Sequence, residues 1–145
     1  MPPPPPPPLP PPPGAPPSCS EADKATVKKV WAAMGGEVQK LTKGSDNVGN
    51  WNRVVVEDGR ITRLKLVAWY GAELSGVIPK EIGDLDALTS LYLGKAVFGD
   101  GKNCLSGEIP KEIGNCTALT TLRLDENELS GVIPKEIGNC TKLTC

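Results

Sequence analysis

Apolar residues in the second half of the chain recur in a pattern that is present three times. Its first part has the form Leu-x-x-Leu-x-Leu, as at Leu119, Leu122 and Leu124. Side chains two residues apart on a β-strand point to the same side, so the pattern predicts a short strand whose leucines face a core. The equivalent triplets are Ile61, Leu64 and Leu66, and Leu88, Leu91 and Leu93.

The second part of the pattern is the segment Leu-Ser-Gly-x-Ile-Pro-Lys-Glu-Ile-Gly, which begins at Leu74, Leu105 and Leu129. Pro110 and Pro134, in the second and third copies, are 24 positions apart (134 − 110). This period lies within the range of about 20 to 29 residues that leucine-rich repeats have. We define unit 1 as residues 61–87, unit 2 as 88–118 and unit 3 as 119–142, and expect residues 143–145 to start a fourth unit.

Only unit 3 has the pattern without inserted residues. Asn127 follows its strand, where an asparagine amide can bond backbone groups that a turn leaves unpaired. In unit 2 the matching leucines are 12 positions apart against 5 in unit 3, so seven residues are inserted, and Asn103 keeps the turn position. In unit 1 three residues are inserted and Ala72 replaces the asparagine. The insertions predict loops at 67–73 and 94–103 along one rim.

These segments resemble the repeats of the plant-type leucine-rich-repeat family, which read LxxLxLxxNxLSGxIPxxIGxLxxL. The resemblance extends from Ile61 to the C-terminus and holds all three copies in one phase. It implies an α/β fold, in which the units form a short, right-handed, horseshoe-shaped solenoid fragment with parallel inner strands.

Residues 19–60 are predicted to form a helical N-terminal cap. Ser20, with Asp23 three residues later, has the form of a capping box at the start of a helix, and Gly35 and Gly36 are typical of a helix end. Four apolar residues between them have the spacing of one helix face: Val27, Val30, Trp31 and Met34.

The predicted cap also resembles that of leucine-rich-repeat receptor-like proteins. Trp51, Val54 and residues 59–66 match segments that read W-x-G-V-x-C and G-R-V-T-x-L-x-L in the family. The secreted plant receptors usually carry a cysteine pair around this tryptophan, and Asn50 and Val56 stand in those places. The missing pair favours an intracellular or simpler member of the family.

Neither the cysteines nor the N-terminus indicates export. The five cysteines are an odd number and include no CxxC motif. Cys116 and Cys140 occupy the position of Leu85 in unit 1, which predicts small buried side chains and no structural disulfide. Met1 is followed by prolines rather than by a basic and an apolar stretch, and no apolar run approaches the ~18 residues of a membrane helix. We therefore expect a cytoplasmic protein without a membrane segment.

Proline dominates residues 1–18, for which we predict a disordered tail. Of the 16 prolines, 13 lie between Pro2 and Pro17. Such a run favours the polyproline II conformation, which SH3, WW and EVH1 domains bind. The run also resembles the profilin-binding segments of formins. Its candidate ligand residues are Pro2, Pro8, Leu9, Pro10 and Pro13.

The composition argues against catalysis and against nucleic-acid binding. The chain has no histidine, which removes the Ser/His and Cys/His catalytic pairs and the common zinc hydrolase sites. It has no phosphate-binding loop, and we expect neither a cofactor nor a metal ion. The net charge of −1 creates no field that would attract nucleic acid.

The candidate binding residues are those that alternate with the core leucines, because they point away from the core. We call this surface the outer strand face, which in a solenoid is the concave surface. Stacked strands predict three columns across it: Arg63, Ser90 and Thr121; Lys65, Tyr92 and Arg123; and Val67, Gly94 and Asp125. Tyrosine and arginine are enriched at binding hot spots. The ligand-binding candidates are Arg63, Lys65, Tyr92, Arg123 and Asp125.

Two functions are compatible with these features. The first is a module that binds a protein or peptide on the outer strand face, as part of a longer receptor-like protein or receptor kinase. The second is a scaffold whose proline-rich tail recruits SH3, WW, EVH1 or profilin-type partners. The chain stops two residues past Leu143, the first leucine of a fourth unit. We therefore expect a fragment of a longer protein, with a dimer as the rarer alternative.

Overall fold

The computed structural model describes residues 2–7, 19–37, 54–66, 74–94 and 103–144. In these ranges it has one α-helix, α1 (Glu21–Ala33), and six strands: β1 (Val54–Glu57), β2 (Arg60–Lys65), β3 (Ser90–Tyr92), β4 (Ser106–Glu108), β5 (Thr121–Arg123) and β6 (Glu128–Ser130). Three short 3-10 helices are η1 (Lys80–Asp84), η2 (Lys111–Asn115) and η3 (Lys135–Asn139). Within the described ranges, no helix is long and apolar enough to span a membrane.

The main sheet has the strand order β1-β2-β3-β5. β2, β3 and β5 come from units 1, 2 and 3 and run parallel, with Leu64 opposite Leu91 and Leu91 opposite Leu122. Leu64 and Leu91 are fully buried, so the leucines of the strands face the core as a period of two requires. The predicted parallel arrangement of the repeated strands is confirmed.

β1 pairs with β2 in the antiparallel direction, which the sequence analysis did not anticipate. Asp58, with a φ of 50°, and Gly59, with a φ of 76°, make the turn between the two strands. An Asp-Gly pair between apolar stretches is a strong signal for a β-hairpin. The region before unit 1 therefore contains a hairpin strand in addition to its helix, and the sequence carried a signal for it.

A second parallel sheet lies on the flank of the units. β4 and β6 form it, with Gly107 opposite Leu129, and an isolated bridge joins Val77 to Ser106. These strands come from the Leu-Ser-Gly parts of the repeat, so the second sheet has the same period as the first. Gly107 and Gly131 have φ values of 75° and 76°, a conformation that glycine adopts without steric cost.

The 3-10 helices stack on one another and complete each unit. Each begins directly after an extended proline of the repeat: Pro79, Pro110 and Pro134. Gly83 lies directly against the backbone of Glu112 in the following unit, and Gly114 lies in the same way against Glu136. A Cβ atom at either glycine would collide with that backbone, so the close approach of the units requires glycine at this position.

Asparagine side chains connect successive units at the turn after the strand. Asn103 is fully buried, and its Nδ2 donates at 2.8 Å to the carbonyl oxygens of both Leu66 and Leu93. Asn127 Nδ2 donates to Leu93 O at 2.9 Å and to Leu124 O at 3.0 Å, while its Oδ1 accepts a backbone N–H of unit 2 at 3.0 Å. Each amide therefore bonds its own unit and the preceding one.

A row of threonine hydroxyls makes similar connections at the start of the strands. Thr89 Oγ1 donates to Thr62 O at 3.1 Å, Thr120 Oγ1 to Thr89 O at 2.9 Å, and Thr144 Oγ1 to Thr120 O at 3.3 Å. Each hydroxyl thus bonds the preceding unit. The Thr62 hydroxyl is buried without a hydrogen-bond partner in the structure, and it belongs to unit 1, where no preceding unit supplies the carbonyl.

α1 packs on unit 1 through its predicted apolar face. Val27, Val30 and Met34 are fully buried, and Trp31 is half-buried against the same core. The side chain of Ser20 accepts a hydrogen bond from the backbone N–H of Asp23 at 3.4 Å, which caps the N-terminus of the helix. The predicted helix is confirmed.

The second half of the predicted capping box is wrong. The Asp23 carboxylate does not return to Ser20; it accepts bonds from Arg60 Nε at 2.9 Å and Nη2 at 3.2 Å, and from the Ile61 N–H at 3.0 Å. Ser20 N–H bonds Gly59 O instead, at 2.8 Å. A bidentate guanidinium is a stronger partner for a carboxylate than a single backbone N–H, so Asp23 turns towards Arg60.

Arg60 also forms an ion pair with unit 1, since its Nη2 lies 2.6 Å from Asp86 Oδ1. Asp23 is only 3% exposed, whereas 40% of the Arg60 side chain is exposed. A nearly buried carboxylate in α1 is therefore neutralised by the first residue of β2. We call this contact the Asp23–Arg60 clamp.

We predict that Arg60→Gln lowers the free energy of unfolding by about 1–3 kcal/mol, because it leaves the buried Asp23 carboxylate without its charge partner. Urea unfolding measures the change. Glu21→Gln is the matched control, since it removes an 87% exposed carboxylate that pairs with Lys24 at 2.7 Å; it should cost less than about 0.5 kcal/mol. Equal losses in both variants would contradict a stabilising role for the clamp.

We also predict that Asn127→Ala lowers the free energy of unfolding by about 1–3 kcal/mol, because it leaves turn carbonyls without a donor. Asn103→Ala should cost more, since Asn103 is fully buried and Asn127 is half-buried. Glu128→Ala, at an exposed neighbour, should be nearly silent. Thermal unfolding of the three variants tests this, and equal effects at positions 127 and 128 would contradict the assigned phase of the repeat.

Candidate ligand-binding face

The strand register brings the residues of two predicted columns together on the outer strand face. Their side chains are exposed or half-buried, and neighbouring strands of a sheet lie about 4.8 Å apart. The residues of each predicted column therefore form a contiguous row across the strands. The observed rows are Arg63, Ser90 and Thr121, and Lys65, Tyr92 and Arg123.

Lys65 and Tyr92 form a cation–π contact within the second row. Lys65 Nζ lies 5.2 Å from the centroid of the Tyr92 ring. Such a contact contributes roughly 0.5–1 kcal/mol at an exposed site, and it fixes the ring in the row. The half-buried ring of Tyr92 therefore presents an ordered apolar surface beside a positive charge.

Arg123 is held by a carboxylate of the same face. Its Nε lies 3.0 Å from Asp125 Oδ1 and its Nη2 lies 3.0 Å from Asp125 Oδ2, a bidentate pair. Side-chain hydrogen bonds and the negative charge of Asp125 raise the pKa of the Arg123 guanidinium. Residues two apart on a strand share a face, so the spacing of this pair in the sequence was sufficient to predict it. The row therefore holds one cation paired with a carboxylate, Arg123, and one that contacts an aromatic ring, Lys65.

Gly94 allows this ion pair to form. A side chain at Gly94 would collide with the Asp125 carboxylate, which lies directly over it. Asp125 thus lies against Gly94, its neighbour in the third predicted column. Val67, the other member of that column, lies outside the described residues.

A polar depression of about 270 Å³ lies beside the outer strand face, at the turn that follows β5. Its lining residues are Asn103, Cys104, Glu126, Asn127 and Glu128. Glu126 has a φ of 53°, which is uncommon for a residue other than glycine. In the described ranges, no group of three or more histidine, cysteine, aspartate or glutamate side chains is placed to hold a metal ion.

The proline-rich tail is described only in part. Pro2 to Pro7 are exposed and have no regular secondary structure. Pro8, Leu9, Pro10 and Pro13, the other predicted ligand residues of the tail, lie outside the described residues.

Cys116 and Cys140 are buried thiols that bond the preceding unit. Cys116 Sγ lies 3.4 Å from the carbonyl oxygens of Ile82 and Leu85, and Cys140 Sγ lies 3.3 Å from Cys116 O. Burial raises the pKa of the Cys116 thiol to about 12 and also raises that of Cys140. Both thiols therefore act as hydrogen-bond donors within the stack.

Comparisons with known proteins agree with the observed repeat and fold. Residues 118–140 match the model of the Leucine Rich Repeat family. A plant ice-binding protein is 30% identical, with a TM-score of 0.72 over 88% of this chain and 39% of that one. The BIR2 ectodomain from Arabidopsis thaliana is 27% identical, with a TM-score of 0.65 over 87% of this chain and 65% of that one. No curated protein sequence matches the chain.

A third similar structure is the ectodomain of the plant membrane receptor kinase GASSHO1/SCHENGEN3 from Arabidopsis thaliana, in complex with CASPARIAN STRIP INTEGRITY FACTOR 2. It is 26% identical, with a TM-score of 0.66 over 83% of this chain and 14% of that one. The chain thus spans less than two thirds of each of these proteins. Together, the matched repeat and these structures show that the chain contains leucine-rich repeats similar to those of plant receptor ectodomains.

We predict that native Cys116 and Cys140 resist alkylation at pH 8, whereas the half-buried Cys104 reacts faster. A pKa of about 12 for Cys116 leaves only about one thiolate in ten thousand at pH 8, and the thiolate is the reactive form. Mass spectrometry of peptides after brief treatment with iodoacetamide measures the labelling.

The same protein should unfold at the same temperature with and without reductant, as expected for a chain without a structural disulfide. Cys116 labelled as fast as Cys104, or a large loss of stability on reduction, would contradict these expectations.

Proposed function

We propose that this chain is a binding module that recognises a protein or peptide on its outer strand face, and that its units form a short solenoid ended by α1 and β1. The row Lys65, Tyr92 and Arg123 is the observation that carries the proposal. It combines an ordered aromatic ring with charged side chains on one exposed surface. Binding interfaces use such anchors, with aromatic and arginine side chains supplying most of the energy.

The similar structures support a role in binding rather than in catalysis. One of them is a receptor-kinase ectodomain in complex with CASPARIAN STRIP INTEGRITY FACTOR 2. The described residues of this chain share the fold of that ectodomain, with a TM-score of 0.66. We therefore infer a non-enzymatic module, within which the units position the binding surface.

The charges of the face favour a ligand with a carboxylate. Lys65 and Arg63 are exposed cations on adjacent rows, and Arg123 already holds a carboxylate in a bidentate geometry. A ligand carboxylate could replace Asp125 there, since the guanidinium fork matches any carboxylate. The preferred ligand is an acidic peptide with an apolar or aromatic side chain that packs on Tyr92.

A second function, recruitment of partners by the proline-rich tail, is supported by the exposed and irregular Pro2 to Pro7. Polyproline segments bind aromatic grooves with little loss of entropy because they are already extended. Deletion of residues 1–17 separates the two functions. The first predicts that binding is retained by the shortened chain, and the second predicts that it is lost.

We predict that the double change Lys65→Ala and Arg123→Ala weakens binding of an acidic peptide, selected on the intact chain from a peptide library, by at least about tenfold. Both residues are exposed, so the fold should be retained with a loss below about 0.5 kcal/mol each. Titration calorimetry measures the affinity. Lys80→Ala with Lys111→Ala is the matched control, because it removes two exposed cations at the 3-10 helices.

A further variant, Asp125→Asn, should change the binding affinity in the opposite direction. It removes the carboxylate that competes for Arg123, so the selected peptide should bind about threefold more tightly. If the Lys80 and Lys111 control weakens binding as much as the outer-face pair, or if Asp125→Asn weakens it, the outer strand face is not the site.

A further inference from the structure

Two asparagines at the ends of 3-10 helices are followed by a threonine in the order Asn-x-Thr. They are Asn115, with Thr117, and Asn139, with Thr141. This order is the motif that accepts an N-linked oligosaccharide, provided that the middle residue is not proline; here it is Cys116 or Cys140. The two copies are 24 positions apart (139 − 115), so they hold the same position in units 2 and 3.

Both motifs place their acceptor groups on the surface. Asn115 and Asn139 are the last residues of η2 and η3, and both asparagines and both threonines are exposed. The cysteine between them points the other way, since Cys116 is fully buried and Cys140 is 4% exposed. Each motif therefore offers its amide and its hydroxyl to solvent while its middle residue packs in the core. We call the surface of these four exposed residues the acceptor flank.

The amides of the acceptor flank take no part in holding the fold. The turn after η2 is held by its backbone, because Cys116 N–H donates to Ile113 O and Leu119 N–H donates to Cys116 O, both at 3.1 Å. The turn after η3 has the same two bonds. Within the described ranges, the side chains of Asn115 and Asn139 have no hydrogen-bond partner. An oligosaccharide on either nitrogen would therefore displace no bond of the fold.

The other two asparagines in the described ranges show the opposite combination. Asn103 and Asn127 each donate to carbonyl oxygens of two units. Two residues later the sequence has Leu105 and Leu129 instead of a threonine or serine, so neither asparagine belongs to an acceptor motif. The motif is thus confined to the asparagines whose amides the fold does not use.

We propose that Asn115 and Asn139 are acceptor sites for N-linked oligosaccharides. The donor is an oligosaccharide on a polyprenyl diphosphate lipid, and a bond forms between the side-chain nitrogen and the anomeric carbon of the first sugar. The bond from that carbon to the diphosphate breaks, the diphosphate leaves with its lipid, and the nitrogen loses one proton to a base of the transferase. Because this transfer takes place in the lumen of the endoplasmic reticulum, the proposal places the chain in the secretory pathway. It is opposed to the cytoplasmic localisation expected from the sequence.

The acceptor flank lies apart from the outer strand face. Ile113 of η2 and Leu91 of β3 belong to one buried core, so the 3-10 helices and the main sheet lie on different sides of that core. A bulky, hydrated oligosaccharide on each acceptor would cover the helix side of units 2 and 3 and leave the outer strand face open.

Cell-free synthesis in the presence of endoplasmic-reticulum microsomes tests the proposal on the full chain, to which a cleavable secretory leader is added. Cleavage of the leader shows that a chain has entered the microsomes. Electrophoresis of the cleaved chain should show two attached oligosaccharides, both of which endoglycosidase H removes. Asn115→Gln and Asn139→Gln should each leave one oligosaccharide, and the double variant should carry none.

A matched pair of variants shows whether the motif itself directs the modification. Thr117→Ser keeps the hydroxyl and should keep the oligosaccharide on Asn115, whereas Thr117→Ala should lose it; Thr117 is exposed, so neither change should disturb the fold. The chain secreted from a eukaryotic host should unfold at the same temperature as after enzymatic removal of its oligosaccharides, or at a higher one. A cleaved chain that lacks either oligosaccharide, modification of Asn115 in Thr117→Ala, or unfolding at a lower temperature with the oligosaccharides attached would each overturn the proposal.

Discussion

Hydrogen bonds from the side chains of one unit to backbone carbonyls of the preceding unit hold the described units together. Asn103 and Asn127 make them after the strands, the threonine row makes them before the strands, and Cys116 makes them beside the 3-10 helices. The backbone carbonyls that accept these bonds are partly or wholly buried, so a protein donor stabilises them. A unit is therefore completed by its successor, and unit 1, which has no described unit before it, has a buried Thr62 hydroxyl without a partner in the structure.

At the N-terminal end of the described stack, elements from outside the repeats meet this constraint. Unit 1 is closed by a hairpin strand and by α1, which the Asp23–Arg60 clamp fixes with charge-assisted bonds. The clamp stabilises the fold only while both partners are present, because a nearly buried carboxylate without its guanidinium would be costly.

The sequence was most informative where one period sets the structure. The parallel strands, their buried leucines and the apolar face of α1 all follow from residue spacing. Asp23 shows the limit, because its local pattern predicts a return to Ser20 while a distant arginine offers a stronger partner. The flanking sheet of β4 and β6 was missed for another reason: Leu-Ser-Gly contains too few alternating residues to indicate a strand. On the outer face, the columns and their register were predictable, but the cation–π contact between Lys65 and Tyr92 required the side-chain positions.

Under the proposed function, the pairing of Arg123 with Asp125 decides how selective the outer strand face is. Both side chains are about two fifths exposed, so the pair is a weak surface ion pair and a ligand carboxylate can displace Asp125 at small cost. A neutral ligand gains nothing at Arg123, and a cationic ligand meets Lys65 without a compensating free carboxylate in the same row. Asp125 therefore does not block the face. It lies over Gly94 and pairs with the arginine fork until a ligand carboxylate replaces it, and the proposed function therefore favours acidic ligands over others.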